Sequence, residues 1–208
     1  MRVLADGVYE RIRALIMNHG MAPGARANID ELARELDVSG TPVREALARL
    51  ESEGLVSRLP RRGYRVAELL TRKEVEDIYG LRLLLEPPAA AAAARAMTPP
   101  HAAALEGELR AYEDYKALMA HDARLHELIL RMAGNEAVRQ AFARTHCHLH
   151  FYRLLYTQPM GEETLREHSS LVTALAAGNS SAAQAAMIYH LETARDRVLS
   201  RFDELPTF

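Results

Sequence analysis

Four side chains stand apart in the later two-thirds of this 208-residue chain: Asp122, His126, His168 and His190. Each lies in or beside apolar residues at helical spacing. Asp122 falls between Leu118 and Leu125, and His126 follows it at i+4, so both project from one helix face. His168 lies between Leu165 and Val172, and His190 between Met187 and Ala194, on two further helices. A carboxylate turned into an apolar interior is costly unless a cation or strong donors meet it. One oxygen and three imidazole donors make a set suited to Zn²⁺, Ni²⁺ or Mn²⁺. The same residues also suit a hydrogen-bonded Asp–His network without metal, and both readings stand at this level.

Arg82 flanks the stripe Ile78, Leu81 and Leu85. It can turn inward and pair bidentately with the carboxylate of a small effector, or lie exposed in an i,i+4 pair with Glu86. His146, Cys147, His148 and His150 form a further cluster, either a second metal site or side chains lining a pocket or helix surface. A metal-dependent hydrolase with an accessory domain is an alternative, since a metal with an open position can activate water. It needs a general base, and no fifth carboxylate is evident at an inward position in these helices. A purely structural metal is the other variant.

The elements that hold these residues read as a mainly α chain dividing near residue 70. Over 71–208, apolar periodicity predicts an antiparallel bundle of about six helices with short loops. Thr71-x-x-Glu74 caps the first, with Val75, Ile78, Leu81 and Leu85 as its stripe. Thr98-Pro99 opens the second, with Leu105, Leu109 and Tyr112 on one face. The third carries Leu118, Leu125, Ile129 and Met132. Asn135 caps a fourth that runs through Val138, Phe142, Leu149 and Tyr156. The fifth ends at Gly178-Asn179, and Ser180 or Ser181 opens the sixth.

Residues 1–70 carry shorter elements. Val8, Ile12, Leu15 and Ile16 mark a first helix, and Pro23-Gly24 a turn. Asn28-x-x-Glu31 reads as a capping box for a second helix. A third opens at Thr41-Pro42, and two short β-like runs follow, 55–59 and 63–67, joined by Pro60-Arg61-Arg62. Helix, helix, turn, helix and a two-stranded wing make a winged helix-turn-helix. Such a module places the start of its recognition helix in the major groove. Here that start offers Ser39, Gly40, Thr41 and Arg44, and Arg44 can read guanine bidentately. Arg58, Arg61, Arg62 and Arg65 form a cationic wing with no acid between Arg58 and Ala67. The net charge of −2 hides this, because residues 1–70 hold 11 Arg against 10 acids while 71–208 carry a net −3. A single cysteine excludes a disulfide framework and a thiolate zinc site. With no signal-peptide pattern and no apolar run long enough to span a bilayer, a cytoplasmic protein without membrane contact is expected.

The stretch PGARANIDELARELDVSGTPVREALARLESEGLVSRLPRRGYRV resembles the GntR family of bacterial transcriptional regulators, over about residues 8–67. The resemblance implies operator contact by Ser39, Thr41 and Arg44, with Arg62 and Gly63 at a wing tip in or beside the minor groove; Arg61 joins them as a phosphate contact. Gly40 stands where the family usually has arginine. DIYGLRLLLEPPAAAAAA, HDARLHELILRMAGN and the pair His168 and His190 resemble the FCD ligand-sensing domain of the FadR subfamily, over about residues 73–200. Its metal-binding branch carries Asp-x-x-x-His and two later histidines, which Asp122, His126, His168 and His190 match. The resemblance implies a metal that helps hold a small organic acid, with Arg82 on the effector. It also implies a homodimer on a pseudo-palindromic double-stranded operator, acting as a repressor and not as an enzyme.

Overall fold

The computed structural model describes residues 2–60, 62–109, 115–155 and 161–204. Arg61, Tyr112 and Tyr156 lie outside the described residues. Contacts divide the chain into two compact units, Met1–Leu69 with Tyr152–Tyr156, and Leu70–Phe151 with Thr157–Phe208.

In the first unit, α1 (Arg2–Met17), α2 (Ile29–Leu36) and α3 (Gly40–Ser52) pack with β1 (Arg26–Ala27), β2 (Val56–Leu59) and β3 (Gly63–Val66). Val8, Ile12 and Ile16 are buried on one face of α1, as are Leu32 and Leu36 on α2 and Val43, Leu47 and Leu50 on α3. The Asn28 cap differs from the expected box: its side chain accepts from the Asp30 amide and donates to Glu31. Asp37 ends α2 in the left-handed region, where a short polar side chain is tolerated. The wing gains a strand that the sequence pattern did not reveal. The antiparallel order is β1-β3-β2, with Ala27 and Tyr64 paired and buried. Two residues are too short to show an alternation, so β1 carries no periodic signal.

In the second unit, α4 (Arg72–Arg95), α5 (Pro99–Glu108), α6 (Tyr115–Met132), α7 (Glu136–Ala143), α8 (Cys147–Leu155, of which the residues from Tyr152 onward count with the first unit), α9 (Glu162–Ala176) and α10 (Ser180–Glu204) follow in order. The expected fourth helix is broken into α7 and α8. His146 takes a left-handed φ of 47°, and Thr145 Oγ1 bonds back to the Phe142 carbonyl at 2.7 Å. The last helix opens at Ser180 as expected, and the Asn179 side chain before it accepts from the Ala182 amide. Among the described residues, no helix is long and apolar enough to cross a membrane.

The buried face of α4 is not the expected stripe. Val75, Tyr79, Arg82, Glu86 and Ala90 face inward, whereas Leu81 is 39% and Leu84 74% exposed. The capping box between Thr71 and Glu74 is formed, and the helix continues through Pro87 and Pro88. Those prolines remove two amide donors from the backbone ladder one turn beyond Arg82.

Candidate functional site

Asp122, His126, His168 and His190 converge from α6, α9 and α10, with one donor atom of each lying within 4.8 Å of all the others. His126 Nε2 is 3.2 Å from His190 Nε2, which is 3.4 Å from His168 Nε2. Asp122 Oδ1 lies 3.2 Å from His168 Nε2 and 3.6 Å from His126 Nε2. Tetrahedral bonds of about 2.0–2.1 Å separate donors by about 3.3–3.4 Å, so these spacings fit the edges of a coordination shell.

The outer nitrogens decide what the inner ones can do. His126 Nδ1 bonds to Glu86, and His190 Nδ1 to Glu167 Oε2 at 2.9 Å. A carboxylate only accepts, so each Nδ1 carries the proton and each Nε2 is left as a lone pair. His168 Nδ1 is 2.8 Å from His121 Nε2, and His121 Nδ1 lies 3.5 Å from Glu108, which passes the same polarity along. Three lone pairs and a carboxylate oxygen thus face one another, an arrangement that a cation satisfies. Burial lowers His126 and takes His190 down to about 3. His126 and His190 are therefore held neutral at pH 7, the form that ligates metal.

Several of these partners escaped the sequence reading. Glu86 and Glu167 are inward carboxylates where none was expected. Both are already engaged, Glu86 with Arg82 and His126, Glu167 with His190 and Arg197, so neither is a free general base. The Arg82–Glu86 pair forms at 2.6 Å, but at 2% and 1% exposure it is buried and not the exposed surface pair. Arg82 Nη2 also lies 3.4 Å from His126, and its guanidinium stands over Tyr79 and Phe142. Of the His146–His150 cluster, His148 joins the site, with Nε2 3.0 Å from Asp122 Oδ2. Among the described residues, the four-residue cage is the one group placed to hold a metal. The i,i+4 spacing made Asp122 and His126 visible. Glu167 gave no such signal, being adjacent to His168 and meeting its partners only across helices.

In the first unit, the expected DNA-contacting residues Ser39, Thr41, Arg44, Arg62 and Gly63 are all exposed. Ser39 caps α3 in an extended conformation without spending its hydroxyl on the helix. A Cβ at Gly40 would lie 3.6 Å from Arg44 Nη1 and 3.4 Å from the Ile29 side chain. Arg44 therefore lies within van der Waals reach of the position that a side chain at 40 would take. Gly63 has φ 82° and pairs with Leu59 to close the hairpin, a conformation that favours glycine. Tyr64 and Val66 point inward, while Arg58 and Arg65 stay outside. The expected Arg61 contact lies outside the described residues.

An exposed recognition helix and cationic wing, followed by a helical unit with a buried donor cage, define a DNA-binding regulator. Comparison with known proteins agrees. The gntR family of bacterial regulatory proteins matches residues 4–66, and the FCD domain matches residues 77–193. The HTH-type transcriptional regulator YdhC of Bacillus subtilis is 29% identical over 191 residues, covering 88% of this chain and 85% of that protein. The Nta operon transcriptional regulator of Aminobacter aminovorans is 27% identical, covering 89% and 90%. Among solved structures, Escherichia coli McbR/YncC superposes with a TM-score of 0.76 at 22% identity, covering 96% of this chain and 98% of that one, a likeness of fold. The chain belongs to the GntR family of bacterial regulatory proteins and carries an FCD domain. It is a transcriptional regulator, not an enzyme. GntR regulators bind DNA, and FCD domains bind small-molecule effectors.

Proposed function

We propose that this protein is a cytoplasmic repressor of the FadR subfamily whose grip on DNA is set by a metal-assisted organic-acid effector. Residues 1–70 form the DNA-binding domain, and residues 71–208 the effector and dimerisation domain. As a homodimer, the protein presents two copies of Ser39, Thr41 and Arg44 to the halves of a pseudo-palindromic operator. Arg61, Arg62 and Gly63 bring the wing to the adjacent backbone and minor groove.

The observation that carries the sensing part is the convergence of Asp122, His126, His168 and His190 with every outer nitrogen held by an acceptor. A divalent ion there, Zn²⁺, Ni²⁺ or Mn²⁺, supplies positive charge and a coordination position for a carboxylate. Glu86, Glu167 and His121 orient the imidazoles and keep their Nε2 lone pairs inward. Arg82 presents a buried guanidinium beside His126, suited to a small carboxylate. The effector shifts DNA affinity only by its differential affinity for the two arrangements of the domains.

The test is a thermal-shift series on metal-stripped protein, with each divalent metal alone and with mono- and dicarboxylates. Stabilisation by a metal, increased further by an acid, is expected from mass action. No response to any metal overturns the site. A purely structural metal remains the second reading, favoured by the burial of all three imidazoles. His168→Ala separates them: lost folding marks structure, whereas retained folding with lost effector response marks sensing.

A further inference from the structure

We infer that the DNA-contacting surface extends beyond α3 and the wing tip onto the outer face of the sheet, where Arg26 and Arg65 form a phosphate-binding pair. This rests on the DNA-binding reading and adds residues to it. Arg26 and Arg65 are direct partners in the β1–β3 register, and both side chains are exposed. Opposed residues in antiparallel strands hold their Cβ atoms about 4.5–5.5 Å apart, and like charges there repel. Among the described residues, no carboxylate lies within ion-pair distance of either arginine, nor of Arg58 or Arg62. Two unneutralised guanidiniums held side by side suit neighbouring backbone phosphates, one to each arginine. Ser57, opposite Arg65 on β2 and also exposed, adds a hydroxyl to the same row.

The placement joins this pair to the recognition helix. The start of α3 abuts the start of α2, since a Cβ at Gly40 would meet the Ile29 side chain at 3.4 Å. Asn28, the α2 cap, directly follows β1, and Arg26 is two residues before it. On the other side, Arg65 lies two residues from Gly63 at the wing tip. Arg26 and Arg65 are therefore joined by a few residues of chain to both parts of the unit that are expected on DNA.

The experiment measures DNA affinity by fluorescence anisotropy at salt from about 50 to 200 mM, with the full-length protein and a labelled duplex taken from upstream of its own gene. Each phosphate contact contributes about 0.9 to the slope of log K against log salt. Arg26→Ala and Arg65→Ala are each expected to make the slope shallower by about 0.9 for every subunit bound, weakening all sequences alike. Arg26→Lys, which keeps the charge, restores the slope. The melting temperature of the free Arg26→Ala protein does not fall, because a like-charge neighbour has been removed. Arg49→Ala is the comparison: Arg49 is paired with Asp6 and stacked on Tyr9 toward the far end of α3, and its slope stays unchanged. An unchanged slope for Arg26→Ala while the wild type binds overturns this inference alone. So does an equal loss in Arg49→Ala, since the slope would then report net charge and not contact. No salt-dependent binding by the wild type overturns the DNA-binding reading, and this inference with it.

Discussion

Three imidazoles in the second unit turn Nε2 toward Asp122 and give Nδ1 to a partner outside the cage. Their chemistry is thus set by neighbours and not by their own residue type. Glu167→Gln leaves the shape but replaces a charged acceptor by a neutral amide. We expect metal affinity to fall about 10–100-fold, read by competition with a chromogenic chelator. The pH response has a definite sign. His190 titrates near 3 in the fold against 6.5 ordinarily, so between those values only the unfolded chain gains the proton. Metal-stripped protein should lose stability as pH falls from about 6.5 toward 3, seen as a declining melting temperature; a flat profile would contradict the buried neutral imidazole. In the first unit, Arg44→Ala should cost about 1–3 kcal/mol of discrimination at one base position, measured by anisotropy on operator variants.

Some elements follow their local signals, and others depart from them where a distant partner intervenes. The Thr71–Glu74 box is formed as the residues imply, and Thr71→Ala should cost about 1 kcal/mol in chemical denaturation. The α4 stripe is the contrary case. Leu81 and Leu84 outscore Arg82 and Glu86 on any apolar pattern, yet Arg82 and Glu86 face inward because each neutralises the other and both meet His126. Buried charge is tolerated when paired and hydrogen-bonded, and the bonds from this pair to His126 cross from α4 to α6, beyond the reach of periodicity. Similarly, α7 and α8 read as one helix until Thr145 and His146 break it through backbone geometry. Leu125, fully buried on α6, follows its pattern, and Leu125→Ala should destabilise by about 2–5 kcal/mol.

Across the whole molecule, charge is placed by unit: an exposed cationic surface on the first, a buried and largely compensated set on the second. Chelation should therefore lower the melting transition of the helical unit and spare that of the winged unit, resolved by calorimetry. A metal at about 100-fold its Kd contributes about 2.7 kcal/mol. The order of elements in the winged unit, the residues at the start of α3 and the four cage residues were legible from the sequence, because helix spacing and turn chemistry act over a few positions. The third strand, the inward face of α4, the approach of Arg44 to Gly40, and the acceptors Glu86, Glu167 and His121 were decided only by the tertiary structure. Each depends on a partner that is distant in the chain or on backbone geometry, where the energy of a buried charge or imidazole is set by what meets it.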